Sequence, residues 1–304
     1  MWYDPTQTAL IDTDIGDDVD DAFALALALR LPGLRLCGVT TVAGPVHERA
    51  QLARLLLEAA GCGDVPVAAG SATMRGGQPG PAKLSHRPLL ADAPPAPGGA
   101  SAAELIVACA RSARPLTIIA LGPLTNIAAA LDRDPELARR ARLVAMAGTL
   151  GLPYPDWNLR CDPAAARRVL ASGIPTTLVG MHVTMRAKMH AGQLHRLFSS
   201  ADPLHQVLAR CVLAWRTWKR RLPILHDALT VAVAADPTLA QLEPRRVRVG
   251  WRGFSLASPS DDGGVLVCRD ADIAAYDAMI ERCLLGMPGA GLADPWEQLL
   301  ERLA

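Results

Sequence analysis

The chain has 304 residues, half of them hydrophobic and 20% charged, and its 31 Lys and Arg against 30 Asp and Glu leave a formal net charge of +1. That balance gives no electrostatic basis for a nucleic-acid or anionic-membrane partner, the abundant Leu, Ala and Val exclude a disordered chain, and no apolar run reaches the ~18 residues of a membrane span. The opening MWYDPTQTALIDTD carries no basic n-region or signal core, and seven cysteines without a C-x-x-C read as reduced thiols, so a cytoplasmic protein is predicted.

In chain order, strands are predicted at 8–12, 34–42, 65–70, 116–122, 142–148 and 175–180. Helices are predicted between them, at 19–30, 46–60, 101–113, 123–132 and 163–172. The strands are nearly continuous in apolar character, as strands covered by helices on both faces are. The alternation therefore predicts an α/β fold with a mostly parallel, doubly wound sheet flanked by helices. Residues 74–99, rich in Pro and Gly, are too long for an ordinary connection and read as a mobile loop. After residue 185 the pattern turns mainly helical, with an amphipathic helix from Pro203 to Arg220 and another after Asp227. RRVRVGW (245–251) and GGVLVCRD (263–270) predict a late antiparallel hairpin with SPSDDGG (258–264) as its tip. No repeat or linker divides the chain, which reads as one domain over residues 1–304.

The strongest chemical signal is LIDTDIGDDVDDAFAL (10–25), where six aspartates fall within ten positions between a strand and a helix. The carboxyl end of the first strand is where ligands bind in such sheets. Asp18 is placed to cap the helix, and Asp20 and Asp21 suit the positive end of its dipole. Capping leaves Asp12 and Asp14 unexplained. So many carboxylates repel one another unless a cation neutralises them, and a hard ion such as Ca²⁺ or Mg²⁺ does so with oxygen ligands.

DTDIGDDVDDA resembles the opening signature of the inosine-uridine preferring nucleoside hydrolases, in a form with two residues added before the final pair of aspartates. The resemblance continues in order through CGVTTVAG (37–44), LGPLTNIAAAL (121–131), PDWNLRCDPAAA (155–166) and LHDALTVA (225–232). It implies hydrolysis of the N-glycosidic bond of ribonucleosides to free base and ribose, with one Ca²⁺ per chain. By the same resemblance Asp14 is general base and metal ligand, joined at the ion by Asp21, Asp227 and the carbonyl of Thr125. Asp20, Met146, Asp156 and Asn158 are implied as ribose contacts, and His226 as an acid or hydrogen-bond donor to the leaving base. Asp12 and Asn126 are implied as supports that orient their neighbours. Asp17 or Asp18 is an alternative sugar contact, because of the inserted pair. A homodimer or homotetramer acting on a small nucleoside is also implied.

Two departures point to an altered sugar pocket: Pro45 stands where the family carries a polar residue, and the segment 149–154 is short. Trp215 and Trp218 are spaced to stack on a base or to pack in the core. His47, His86, His190, His195 and His205 read as solvated, and His182 as structural or near the site. Two other readings stand beside the hydrolase. One is a binding protein of the same fold without turnover; the other is a D-x-D phosphatase using Asp12, Asp14 and Asp261-Asp262.

Overall fold

The six apolar runs become the parallel half of one sheet. The computed structural model describes residues 7–286 except 97, 114, 150–153, 218, 220 and 261–263. The strands are β1 (Gln7–Thr13), β2 (Leu34–Thr41), β3 (Val67–Ala69), β4 (Leu116–Ala120), β5 (Ala141–Met146), β6 (Thr176–Val179), β7 (Ala240–Val249), β8 (Ser255–Pro259) and β9 (Val265–Ala271). Their spatial order is β3-β2-β1-β4-β5-β6-β9-β7-β8. Pairing is parallel from β3 to β9, whereas β7 runs antiparallel to both β9 and β8.

The helix Asp20–Arg30 (DDAFALALALR) is apolar all round after its first turn and is buried from Asp20 to Ala28. Such a helix needs cover on every side. It packs against His226–Ala235, which is also apolar after its first turn, and against Val46–Ala59. The helix Ala102–Ser112 starts with a capping box, the Ser101 side chain taking the Glu104 amide while the Glu104 carboxylate takes that of Ser101. Among the described residues no helix is long and apolar enough to cross a membrane.

Several expectations are corrected. The late hairpin has an extra strand: β7 turns at 250–254 into β8, with Val249 opposite Ser255, while its other edge pairs with β9 from Ala240↔Ala271 to Arg245↔Val265. The turn is GWRGF, where Gly253 has φ +80° and a Cβ would stand 2.5 Å from the Arg160 backbone. Of the expected tip, residues 258–260 end or follow β8, and 261–263 lie outside the described residues. The segment 74–99 is tied down rather than free. Met74 donates its amide to Gln78 O at 2.9 Å and His86 to Gly16 O at 3.0 Å, while Leu84 and Leu89 are buried in the core. Apolar anchors spaced along a Pro- and Gly-rich segment hold it without regular structure.

The helix from Pro203 ends at Arg216 with Trp215 in the core, 1% exposed, so Trp215 is no stacking platform; Trp218 lies outside the described residues. His86 and His205 are buried, and His205 binds Ser200 Oγ at 2.7 Å and Leu284 O at 2.6 Å. His182 binds the Cys268 carbonyl at 3.0 Å, a packing role between a helix and β9.

Candidate active site

Strand order 3-2-1-4-5-6 reverses between β1 and β4. Connections leave those two strands in opposite directions, opening a crevice beyond their carboxyl ends. A cavity of about 390 Å³ lies there, lined by Asp14, Asp17, Asp18, Asp20, Asp21 and Asp227 together with Met146, Asn158, His226, Trp157, Lys83 and Lys219. Gly122, in the LGPLTN segment after β4, makes room for it. A Cβ there would stand 2.7 Å from Val42 Cγ1 and 3.0 Å from Asp14 Oδ1.

Carboxylate oxygens of Asp20, Asp21 and Asp227 lie within 4.8 Å of one another. Two helix N-termini deliver them, since Asp20 and Asp21 open one helix and Asp227 the first turn of its neighbour. Peptide dipoles favour anions there. That is not enough for three buried carboxylates. Burial, then the mutual repulsion of this group with Asp14 and Asp18, holds all three well above the usual carboxylate range. Thr13 Oγ1 donates to Asp21 Oδ1, which fixes one of them. Asp14 lies outside that closest trio but lines the same cavity, and burial pushes it up to about 6 against the pull of Arg49. Hard oxygen donors, buried and short of positive charge, are the donor set a divalent cation takes.

The remaining predicted residues divide into those at the cavity and those behind it. Met146 and Asn158 line it, and Asn158 Nδ2 donates to the carbonyls of Leu121 at 2.7 Å and Met146 at 2.9 Å. His226 lines it with Nδ1 held by Thr184 Oγ1 at 2.7 Å, and burial pushes the imidazole down to about 4. Asp156 does not line it. Its carboxylate takes the Leu159 amide at 3.1 Å and the Gly148 amide at 2.8 Å, which caps the helix Trp157–Cys161. Thr125 is not among the cavity-lining residues either, and its side chain is engaged elsewhere, Oγ1 donating to Asp162 Oδ2 at 2.8 Å, which leaves its backbone carbonyl as the group it could offer.

Asp12 is 0% exposed and accepts from Thr40 Oγ1 at 2.5 Å and Asn126 Nδ2 at 2.7 Å, and burial pushes it up to about 7. It cannot serve as the exposed nucleophile of a D-x-D phosphatase, and Asp261-Asp262 lie outside the described residues. Asp18 does not cap the helix in the expected way. The N-cap is Val19, and Asp18 Oδ1 takes the Val19 amide at 2.8 Å. Pro45 is the N-cap of Val46–Ala59 and is not among the cavity-lining residues.

Arg49, fully buried, binds the loop that carries Asp14, and nothing in the motif reading singled it out. A signal was present, because Val46, Arg49, Ala50, Ala53, Leu56 and Leu57 follow a helical stripe that is otherwise apolar. Asp162 was also missed. It takes the Arg75 amide at 2.8 Å and the Ala165 amide at 2.9 Å besides Thr125.

The raised carboxylates set a pH dependence. Their folded form holds protons more tightly than the unfolded chain, so it binds more protons between about pH 4 and 7 and loses stability as pH rises through that window. His86, His182 and His226, pushed down by burial, act in the opposite sense as pH rises from about 4 to 6.5, as do the ion-paired Asp132, Asp134, Glu243 and Asp270, so the effect of the raised carboxylates is read above about pH 6.5. In chelator, Tm is expected to be lower at pH 8 than at about pH 6.5, and an added divalent cation to raise it more at pH 8. Thermal scans that show chelated protein more stable at pH 8 would remove the uncompensated carboxylates as the controlling groups.

Residues 9–277 match the family model for inosine-uridine preferring nucleoside hydrolases. The chain belongs to that family. Hydrolysis of the N-glycosidic bond of ribonucleosides is therefore its reaction. It is 33% identical to the pyrimidine-specific ribonucleoside hydrolase RihA of Salmonella paratyphi A over 265 residues, 80% of this chain and 84% of that one. The RihA of Citrobacter koseri is 34% identical over the same shares. Among solved structures, a plant nucleoside hydrolase superimposes with a TM-score of 0.81 at 26% identity, covering 92% of this chain and 99% of the other. The purine-preferring ribonucleoside hydrolase from Gardnerella vaginalis gives 0.78 at 25% identity, with coverage of 92% and 98%.

Proposed function

We propose that this hydrolase uses one Ca²⁺ and the Asp14 carboxylate to release ribose from ribonucleosides. The observation that carries the reading is the buried group of Asp20, Asp21 and Asp227 in one cavity with Asp14, Asn158 and His226. Asp21 and Asp227 would hold the ion, with Asp14 and the Thr125 carbonyl as further donors and Asp20 turned to ribose hydroxyls. A bound Ca²⁺ supplies coordination for the sugar hydroxyls and a water, and lowers the pKa of that water.

The chain's own residues do the rest. Asp14 takes the proton of the attacking water as it adds to the anomeric carbon. Asn158, with Nδ2 engaged by two carbonyls, offers Oδ1 to a sugar hydroxyl, and Met146 packs on the ring. Asp156 acts on the sugar through the geometry of its capped helix, which sets Asn158. His226 is neutral at pH 7, so it serves as hydrogen-bond donor through Nε2 while Nδ1 accepts from Thr184.

Thr184→Val leaves that nitrogen unpaired and is expected to lower kcat about three- to tenfold, the worth of one hydrogen bond. Unchanged turnover on a ribonucleoside would take the imidazole out of the leaving-group step. The reading as a whole is tested by ribose release from a panel of purine and pyrimidine ribonucleosides with and without chelator. No release from any of them leaves the binding-protein reading. Activity that survives full chelation overturns the cation.

We place the enzyme in the cytoplasm, a reading its seven free cysteines support. A homodimer or homotetramer is supported by Trp251, Phe254 and Leu256 on the β7–β8 hairpin, where Trp251 is 75% exposed. Light scattering that gives a monomer mass overturns it.

A further inference from the structure

The β1–β2 ladder closes where Val42 donates its amide to Thr13 O at 3.0 Å. Beyond that point the carbonyls of Asp14, Ile15 and Ala43 have left the sheet, yet they are buried and need donors. One side chain supplies them. Arg49 donates through Nε to Ala43 O at 2.7 Å and through Nη1 to Ile15 O at 2.8 Å and to Asp14 O. Its Nη2 meets Asp17 Oδ2 at 3.2 Å, which gives the buried guanidinium a counter-charge.

We infer that Arg49 is a positioning residue for the hydrolysis: its fork ties the ends of β1 and β2 together and fixes the loop that presents Asp14 to the cavity. The inference rests on the reading of Asp14 as the base. Only a guanidinium suits the task, because three carbonyls and a carboxylate need a rigid planar set of donors, and an ammonium is a single point. Ala43 adopts a φ of +67°, a left-handed conformation disfavoured for a residue with a Cβ, and its carbonyl is held by Arg49 Nε. Gly16, at φ +121°, lets the loop lie against Leu52 and Leu84, where a Cβ would come within 2.9 Å and 2.3 Å. The loop thus has few ways to move while Arg49 is in place. The second consequence concerns Asp17. Its Oδ2 is engaged by Arg49 while the residue still lines the cavity, so losing that charge loosens the brace without removing it.

The test compares Arg49→Lys, Asp17→Asn and Asp14→Asn in the full chain. Arg49→Lys keeps the charge and loses the fork. Its kcat on a ribonucleoside is expected to fall about tenfold or more, with KM within about threefold, because a displaced base affects the reacting geometry more than binding. Amide hydrogen exchange at residues 14–18, measured in chelator, is expected to speed up in the same variant, a readout independent of turnover and of metal. A folded Arg49→Lys enzyme with kcat within about twofold of wild type overturns the inference, and so does a kcat loss without faster exchange. Should Arg49→Lys fail to fold, Asp17→Asn carries the test. It leaves the three carbonyl bonds, so a loss of about two- to fivefold with faster exchange is expected, and no change in either overturns the inference. Full turnover in Asp14→Asn beside an impaired Arg49→Lys removes Asp14 as the base and leaves Arg49 as the brace of the loop.

Discussion

With Asp14 as the proposed general base, Asp14→Asn is expected to lower kcat by at least about a hundredfold, the low end of what such a base contributes, while KM changes far less. The expectation follows from where the sheet puts this residue. Asp14 is the first residue past β1, held at its carbonyl by Arg49, with its carboxylate against Gly122 at the cavity wall. Burial raises it to about 6 and Asp17 adds to that, whereas Arg49 pulls it down, so it remains ionised at pH 7 with appreciable basicity. Asparagine keeps the shape and an oxygen donor but cannot take a proton. The same change should stabilise the chelated protein at pH 8, since Asp14 is one of the charges that raise Asp21 and Asp227. Loss of turnover with a gain in Tm is the signature of a residue kept for chemistry at the cost of stability. Normal turnover would move the base to Asp20 or Asp18.

That opposition explains which parts of the molecule were readable before the structure. Apolar strands such as LTIIA and helices such as DDAFALALALR are set by local pattern, and the observed elements start and stop within a few residues of expectation. The six aspartates were conspicuous because they break that pattern where the sheet expects a ligand. What escaped depends on contacts distant in sequence. The Thr125 hydroxyl meets Asp162, 37 residues on, and the His86 amide meets Gly16, 70 residues back; no periodicity encodes either. Arg49 was legible as an anomaly in an apolar stripe, but its partners lie 6, 32, 34 and 35 residues away in loops with no spacing of their own. Asp156 and Asn158 are two apart in PDWN and part ways in space, one capping its helix and the other facing the cavity. The hairpin went astray for a different reason: GWRGF and SPSDDGG are both turn-forming, and the five-residue β8 takes up the three residues between them and the first two of the second.

Asp227→Ala should lose bound Ca²⁺ and activity together. Asp227 lies on the other helix from Asp20 and Asp21, so it is the carboxylate that closes the group across two elements. Removing it leaves two neighbours on one turn, and an ion that takes six to eight oxygens loses the donor that spans the site. The stability readout separates this from misfolding. Wild-type protein should gain about 2.7 kcal/mol when Ca²⁺ stands at a hundred times its Kd, by mass action alone. Asp227→Ala should show none of that gain at the same concentration, while its Tm in chelator at pH 8 equals or exceeds that of wild type, because one buried carboxylate has gone from a repelling group. Asp20→Asn is the control on the ligand set. As a sugar contact it should raise KM and spare the Ca²⁺-dependent gain in Tm, whereas as a ligand it should abolish that gain as Asp227→Ala does. Metal analysis that finds full occupancy in folded Asp227→Ala would take Asp227 out of the site and leave Asp14, Asp20 and Asp21, all from the loop and helix after β1, to hold the ion.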